Sequence, residues 1–324
     1  MAVKIDHETY ISEELNPSAG FWIKVKKCVA TLNSPYQKIE LIETEAYGLA
    51  LRIDDYWMTS EKDEFYYHEN MVHPAAVALE KPRSALIIGG GDGGAAEEYL
   101  KYNSIKRVVL AELDEEVVNF CREHLSVIHK GAFDDPRLEL RIGDGKSFVE
   151  NTNERFDLMM LDLTDPFGPA EALYGIEFLD QCKRVLGEHG VLSMHIGSPV
   201  MKPKVFGRIV ASLKKVFPIV RPMLVYVPLY GTLWGMATAS VRTDPLKLSK
   251  HDIDSVIKAR NLKDLQFYNS STHLGTLSLP NFVISICNDD SFKPISLSEP
   301  LNEFGLDPAE HAPVRVVTND GSSN

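Results

Sequence analysis

The chain is poor in the residues that build metal or disulfide frameworks. Its 324 residues include four cysteines, Cys28, Cys121, Cys182 and Cys287, far apart and without a CxxC spacing. No metal site is therefore expected. Basic residues are also in deficit, with 34 Lys+Arg against 46 Asp+Glu and a formal charge of −12. That sign argues against nucleic acid and anionic membrane as partners, since both require basic surface. It is compatible with small cationic substrates. No signal-peptide pattern opens the chain, so a cytoplasmic location with reduced thiols is the expectation. Charge is missing altogether from the 20 residues between Arg221 and Arg242, a length that could cross a membrane. Pro228, Gly231 and Gly235 interrupt that span, and its halves read as two buried strands about a turn. No internal repeat is visible.

Glycine, by contrast, is concentrated in one place. Ser84-Ala-Leu-Ile-Ile-Gly-Gly-Gly-Asp-Gly-Gly94 runs from a short apolar strand into five glycines broken by Asp92. Good helix formers follow from Ala95, and Glu112 ends the next apolar run. Strand, glycine turn, helix and a later acid form the opening of a nucleotide-binding α/β unit, with Gly89 and Gly91 at the ligand and the acid on ribose hydroxyls. Asp92 qualifies this reading. A pyrophosphate there would meet a like charge, whereas a cationic ligand would be attracted.

Around this unit the pattern divides the chain into three. Residues 1–58 read as a small antiparallel β domain behind a loose, polar start at 1–18, with alternating strands near 21–26, 36–42 and 48–53. Ser60 to Asp63 resembles a capping box for a helix that Pro74 kinks or restarts. Residues 59–292 alternate strand and helix, which predicts a mostly parallel Rossmann-like sheet with helices on both faces. Residues 293–324 turn to Pro, Ser, Glu and Asn and read as an extension dispensable for chemistry. Ligands of such sheets sit at the carboxyl ends of the strands. Asp92, Glu112, Asp144 and Asp162 all fall at or just beyond strand ends and should face one cleft. Asp162 and Asp165, on the Pro/Gly-rich loop through Pro169, suit a lid over that cleft.

Several of these segments together resemble the spermidine synthase (polyamine aminopropyltransferase) family. They are Glu61-Lys-Asp-Glu-Phe-x-Tyr67-His68-Glu69, Leu86 to Gly94, Glu112-Leu-Asp114, Asp134-Asp-Pro-Arg137 and Gly143-Asp-Gly145. Asp162-x-x-Asp165-Pro-x-Gly-Pro169 and Tyr268-Asn269-x-x-x-His273 complete the set, in the family's order over about residues 21–290. The resemblance implies a methyltransferase-like α/β fold preceded by the β domain, assembled as a homodimer or homotetramer. It implies aminopropyl transfer from decarboxylated S-adenosylmethionine to a diamine such as putrescine, giving spermidine and methylthioadenosine, with the donor as co-substrate and no cofactor or metal. By position, Gln37, Glu112, Asp144 and Gly145 would hold the nucleoside and Pro169 would cover it. Asp92 would bind the donor's amine. Tyr67, His68, Asp165 and Tyr230 would line the acceptor channel, with Asp162 as base. Around Tyr230 the run Val227-Pro-Leu-Tyr-Gly-Thr-Leu-Trp-Gly235 departs from the commonest family pattern, and His195 stands where glutamine is common. Acceptor identity therefore stays open among putrescine, cadaverine, agmatine and spermidine.

Three other classes share part of this pattern. A nicotinamide-dependent dehydrogenase would share the glycine turn and Glu112, yet not the acidic cleft. An ordinary methyltransferase uses a donor whose carboxylate Asp92 would repel. A non-catalytic polyamine-binding protein would keep Tyr67 and Asp165 without needing a nucleoside site.

Overall fold

A computed structural model describes residues 9–166 and 168–301. The N-terminal unit is a five-stranded antiparallel meander of β1 (Thr9–Asn16), β2 (Ala19–Asn33), β3 (Lys38–Thr44), β4 (Gly48–Ile53) and β5 (Tyr56–Ser60), in sequence order across the sheet. Part of the stretch expected to be loose, 9–16, is strand β1. Its polar composition hides Ile11 and Leu15, which are buried, while Glu13 accepts a hydrogen bond from the Trp57 N–H at 2.8 Å. One face of the meander packs Ile39, Leu41, Leu51 and Ile53 against Val117, Phe120 and Ile128 of the next unit.

The chain then runs α1 (Glu64–Val77), β6 (Ser84–Gly89), α2 (Gly94–Leu100), β7 (Arg107–Glu112), α3 (Glu115–His124), α4 (Ser126–His129), β8 (Leu138–Ile142) and α5 (Gly145–Asn151). It continues with β9 (Leu158–Asp162), α6 (Ile176–Leu186), β10 (Val191–Gly197), α7 (Pro203–Val216), β11 (Ile219–Val227), β12 (Thr232–Ser240), α8 (Lys250–Ala259), α9 (Ser270–Leu277) and α10 (Asn281–Cys287). The second sheet is ordered β11-β12-β10-β9-β6-β7-β8, parallel except that β12 is antiparallel to both its neighbours. The uncharged span is thus the hairpin β11–β12, and no helix among the described residues is long and apolar enough to cross a membrane. Apolar residues of alternate parity enter opposite cores: Leu86 and Ile88 on one side, Ala85 and Ile87 on the other.

Two local expectations need correction. The segment around Ser60 does not form a capping box. The Ser60 hydroxyl donates to Asp63 at 2.5 Å, and Asp63 accepts the Leu229 N–H at 2.7 Å instead of capping its own helix. Helix α1 is continuous through Pro74, so of the two alternatives expected there, a kink or a restart, the restart does not occur. The Tyr268-to-His273 motif proves architectural. Glu69, buried on α1, accepts the backbone N–H groups of Gln266, Phe267 and Tyr268, while Asn269 caps α9 and His273 bonds the Tyr268 hydroxyl.

The start of the C-terminal extension is also more tightly held than its composition suggests. Ile295 and Leu301 are buried in the α/β core, and Arg208 on α7 donates to the carbonyls of Lys293, Glu299, Pro300 and Leu301. Residues 302–324 lie outside the described residues. Burying an aliphatic side chain contributes roughly 1.5–3 kcal/mol. A chain ended after Asp290 should therefore be several kcal/mol less stable than one ended after Leu301, read as a lower urea midpoint. Equal midpoints would show that the strap adds nothing.

Candidate active site

The strand order reverses between β6 and β9, the place where sheets of this kind open a crevice at their carboxyl edge. Gly89 and Asp162 pair there in register. Gly89 has φ +80°, and a Cβ on it would stand 2.1 Å from the Asp162 carbonyl, so only glycine lets the two strand ends meet. The following turn is tied down by the Gly90 N–H donating to the Asp162 carbonyl. Gly94 is fixed for another reason: its missing Cβ leaves room for the His68 ring, whose atoms would lie 2.3–2.7 Å away.

His68 links the helix to the turn. It is 1% exposed, with Nδ1 2.9 Å from Glu64 and Nε2 3.5 Å from Asp92. Burial alone would lower its proton affinity, but Asp92 and Glu64 outweigh that and raise it well above the ordinary histidine range. Asp92, which also accepts the Gly94 N–H, feels the reverse: burial would raise its pKa, and the imidazolium lowers it overall. Asp162 completes the cluster. Burial and then the Asp92 charge push its carboxyl up to about 6, against the opposing influence of His68 and of the hydrogen bond donated by Tyr67 at 2.9 Å. Ligand atoms of His68, Asp92 and Asp162 lie within 4.8 Å of one another. Both His68 nitrogens already meet carboxylates, so the cluster is an ion-paired network of one imidazole and three acids.

Toward the N-terminal sheet lies the expected nucleoside end. Glu112 ends β7, its carboxylate beside Gly91, and accepts the Asp114 N–H; burial pushes its carboxyl up to about 7. Gln37 does not face the cleft alone, since its amide donates to Asp114 at 2.9 Å and ties the β domain to the α/β unit. Asp144 caps α5 through the Lys146 N–H and the Ser147 hydroxyl, which hold its carboxyl low against the effect of burial. Gly145 packs on Ile88. A cavity of about 300 Å³ opens beside them, lined by Ala111, Arg141, Ile142, Gly143, Asp144 and Phe148. Pro169 lies in a 3₁₀ turn, Gly168–Tyr174, and its side chain is outside what the structure describes.

In the other direction an aromatic wall leads away from Asp162. Tyr67 contacts Tyr230 edge-on at 6.2 Å, Tyr230 contacts Trp234 at 4.9 Å, and Trp234 stacks on His195 at 5.7 Å. The Tyr230 hydroxyl donates to the Met58 carbonyl, so it shapes the wall from a fixed position. Burial keeps His195 below the usual histidine range, its Nε2 lying 2.9 Å from the Leu163 carbonyl and 2.7 Å from the Tyr174 hydroxyl. Asp165 stands at this end, paired with Lys202 at 2.9 Å. His68 is thus placed behind Asp92, while Tyr67, Tyr230 and Asp165 share the channel side. Glu64 and Trp234, which the sequence shows only as members of quoted motifs, and Lys202, which no motif contains, join the site in the fold.

The electrostatics make a prediction with a definite sign. Folded Asp162 keeps its proton up to about pH 6, whereas an unfolded aspartate loses it near 4. The stability this confers is complete below pH ~4 and is lost as pH rises through the folded pKa. Asp162→Asn cannot ionise, so it should be the more stable protein above pH 6, by on the order of 2 kcal/mol. That advantage should shrink toward pH 4 in paired thermal melts. A variant less stable at pH 8 than at pH 4, relative to the parent, would contradict the assigned shift.

Residues 9–61 match the family described as "Spermidine synthase tetramerisation domain", and residues 64–249 match "Spermine/spermidine synthase domain". A polyamine aminopropyltransferase of Nitrosomonas europaea is 47% identical over 310 residues, covering 96% of this chain and 95% of that one. Another, of Pyrobaculum aerophilum, is 36% identical over 282 residues, covering 86% and 97%. Among solved structures, a spermidine synthase in complex with the transition-state analogue AdoDATO superposes with a TM-score of 0.81 at 32% identity, covering 88% of this chain and 98% of that one. The spermidine synthase of Thermotoga maritima gives 0.78 at 31%, covering 88% and 96%. With the glycine turn, the carboxylate cluster and the aromatic wall in place, these matches show that the chain belongs to the spermine/spermidine synthase family and is an aminopropyltransferase.

Proposed function

We propose that the protein transfers the aminopropyl group of decarboxylated S-adenosylmethionine to putrescine, releasing methylthioadenosine and spermidine. The observation that carries the reading is Asp162, a carboxylate with its pKa near 6 at the junction of the nucleoside end and the aromatic channel. The nucleoside would lie over Gly89 and Gly91, between Glu112 and Asp144, and the donor's ammonium beside Asp92. The acceptor is a dication at neutral pH and must lose one proton before it can attack. Asp162 takes that proton. The freed amine then displaces the aminopropyl carbon from sulfur, and the C–S electron pair leaves with the neutral thioether. A sulfonium is already a good leaving group, so this chemistry calls on no metal or cofactor. The protein's part is positioning and proton removal. Asp165 anchors the acceptor's far end, and Tyr67 and Tyr230 confine its methylene chain.

The assembly expected from the β domain is a homodimer or homotetramer, which sedimentation would distinguish, and the four free thiols fit a reducing, cytoplasmic setting. The reading is tested with decarboxylated S-adenosylmethionine and a panel of amines, following methylthioadenosine and the extended amine by mass. Asp162→Asn should lower turnover by roughly 10²–10⁴-fold while donor binding persists, and should recover part of that loss as pH rises and more amine is neutral. Normal turnover by this variant would remove Asp162 as base. Asp92→Asn should narrow the preference for the decarboxylated donor over S-adenosylmethionine, whose carboxylate the native aspartate repels. Unchanged relative affinities in calorimetry would remove Asp92 from that role.

A further inference from the structure

The far end of the acceptor channel carries a cation of its own. Lys202 lies between β10 and α7, its ammonium 2.9 Å from Asp165 with the two side chains only 21% and 18% exposed. Its position makes lysine an unusual residue. It is the N-cap of α7, followed by Pro203, and no side-chain cap bond is made there. Helix N-termini favour a capping oxygen and disfavour positive charge, so lysine is locally the wrong choice on both counts. The backbone, however, is held to present it. The Lys202 N–H donates to the Ser198 carbonyl, Ser198 accepts the N–H groups of Val200 and Met201, and Asn16 at the end of β1 donates to the Met201 carbonyl.

The groups around it complete the picture. Glu13, also on β1, is recessed at the same end. Burial pushes its carboxyl up to about 7, the Asp165 charge adds to that, and Arg52 and Lys202 oppose it. The Glu13 carboxyl is thus close enough to feel both Asp165 and Lys202, whose charges act on it in opposite directions.

We propose that Lys202 sets the length of the acceptor, admitting diamines and rejecting triamines. The inference rests on the aminopropyl-transfer reading above and concerns the same channel. A carboxylate accepts several donors, so the far ammonium of a diamine can share Asp165 with Lys202. A triamine is longer by one aminopropyl unit and would bring its third ammonium toward the Lys202 ammonium at this half-buried ion pair. Selectivity then comes from a built-in repulsion, beyond any attraction to the right substrate.

The test compares kcat/KM for putrescine and for spermidine as acceptors in the parent, Lys202→Met and Lys202→Arg. Methionine keeps much of the aliphatic stem and removes the charge; arginine keeps the charge. A like-charge contact across an enclosed site costs at least a tenfold factor in affinity, so Lys202→Met should raise the spermidine-to-putrescine ratio by about tenfold or more. Lys202→Arg should leave the ratio near that of the parent. Calorimetry with methylthioadenosine should give the same affinity in all three proteins, confirming a folded nucleoside site. An unchanged ratio in a Lys202→Met protein that binds methylthioadenosine normally would overturn the proposal, and so would an arginine variant that behaves like the methionine one. Failure of the underlying reading looks different, since the parent itself would then form no methylthioadenosine with either amine.

Discussion

One buried charge organises the site. The His68 imidazolium is enclosed between Glu64 and Asp92, and Asp162 stands on the other side of the same cluster. An isolated cation would not survive that burial; two carboxylates hold it. Its charge then keeps Asp92 ionised and stops the neighbouring Asp162 carboxyl from rising further. One carboxylate is thereby held as an anion, while the other is pushed up to about 6. Two acids pushed in opposite directions by one environment is how a protein assigns an anchor and a base.

Helix α1 is the beam on which this depends. Asp63 before it bonds the Leu229 N–H beneath the channel wall, Tyr67 bonds Asp162, His68 forms an ion pair with Asp92, and Glu69 gathers the backbone before α9. Nearly every residue of the helix is buried, so no amphipathic stripe exists to advertise it. Replacing one buried polar partner in such a helix leaves the other unpaired, which costs more than the bond itself contributed. The same helix therefore carries both architecture and chemistry.

The α/β alternation was legible because the parallel strands β6, β7, β9 and β10 are short, mainly apolar runs closed by glycine or an acid, and the structure places them close to where those runs lie; the edge strand β8, Leu138–Ile142, carries Glu139 and Arg141 instead. The carboxylates at strand ends were legible for the same reason. Strand β1 was not, because Ile11 and Leu15 are separated by three polar residues, Ser12, Glu13 and Glu14, that carry no alternating signal. The strap 293–301 was hidden by its Pro and Ser content: its hold comes from Arg208 bonding carbonyls, which no side-chain pattern in the strap reveals. Residue roles were harder still. The sequence shows neither that both nitrogens of His68 meet carboxylates, Glu64 and Asp92, nor that the Gln37 amide also ties the β domain to Asp114.

The acceptor end was least legible because it is built from pieces distant in the chain. Asp165 comes from the loop after β9, Lys202 from the cap of α7, Glu13 from β1 and Trp234 from β12. No spacing rule links those positions, and each has an ordinary reading when met singly. Only in the fold do the two carboxylates, one ammonium and an aromatic wall stand together. The donor end, by contrast, is drawn from consecutive strand ends of one sheet, where topology forces convergence. A fold of this kind can hold its nucleoside site constant while the acceptor end varies residue by residue. On the reading proposed above, the lever there is net charge, because a protein cation placed among carboxylates competes with a polyamine ammonium for them.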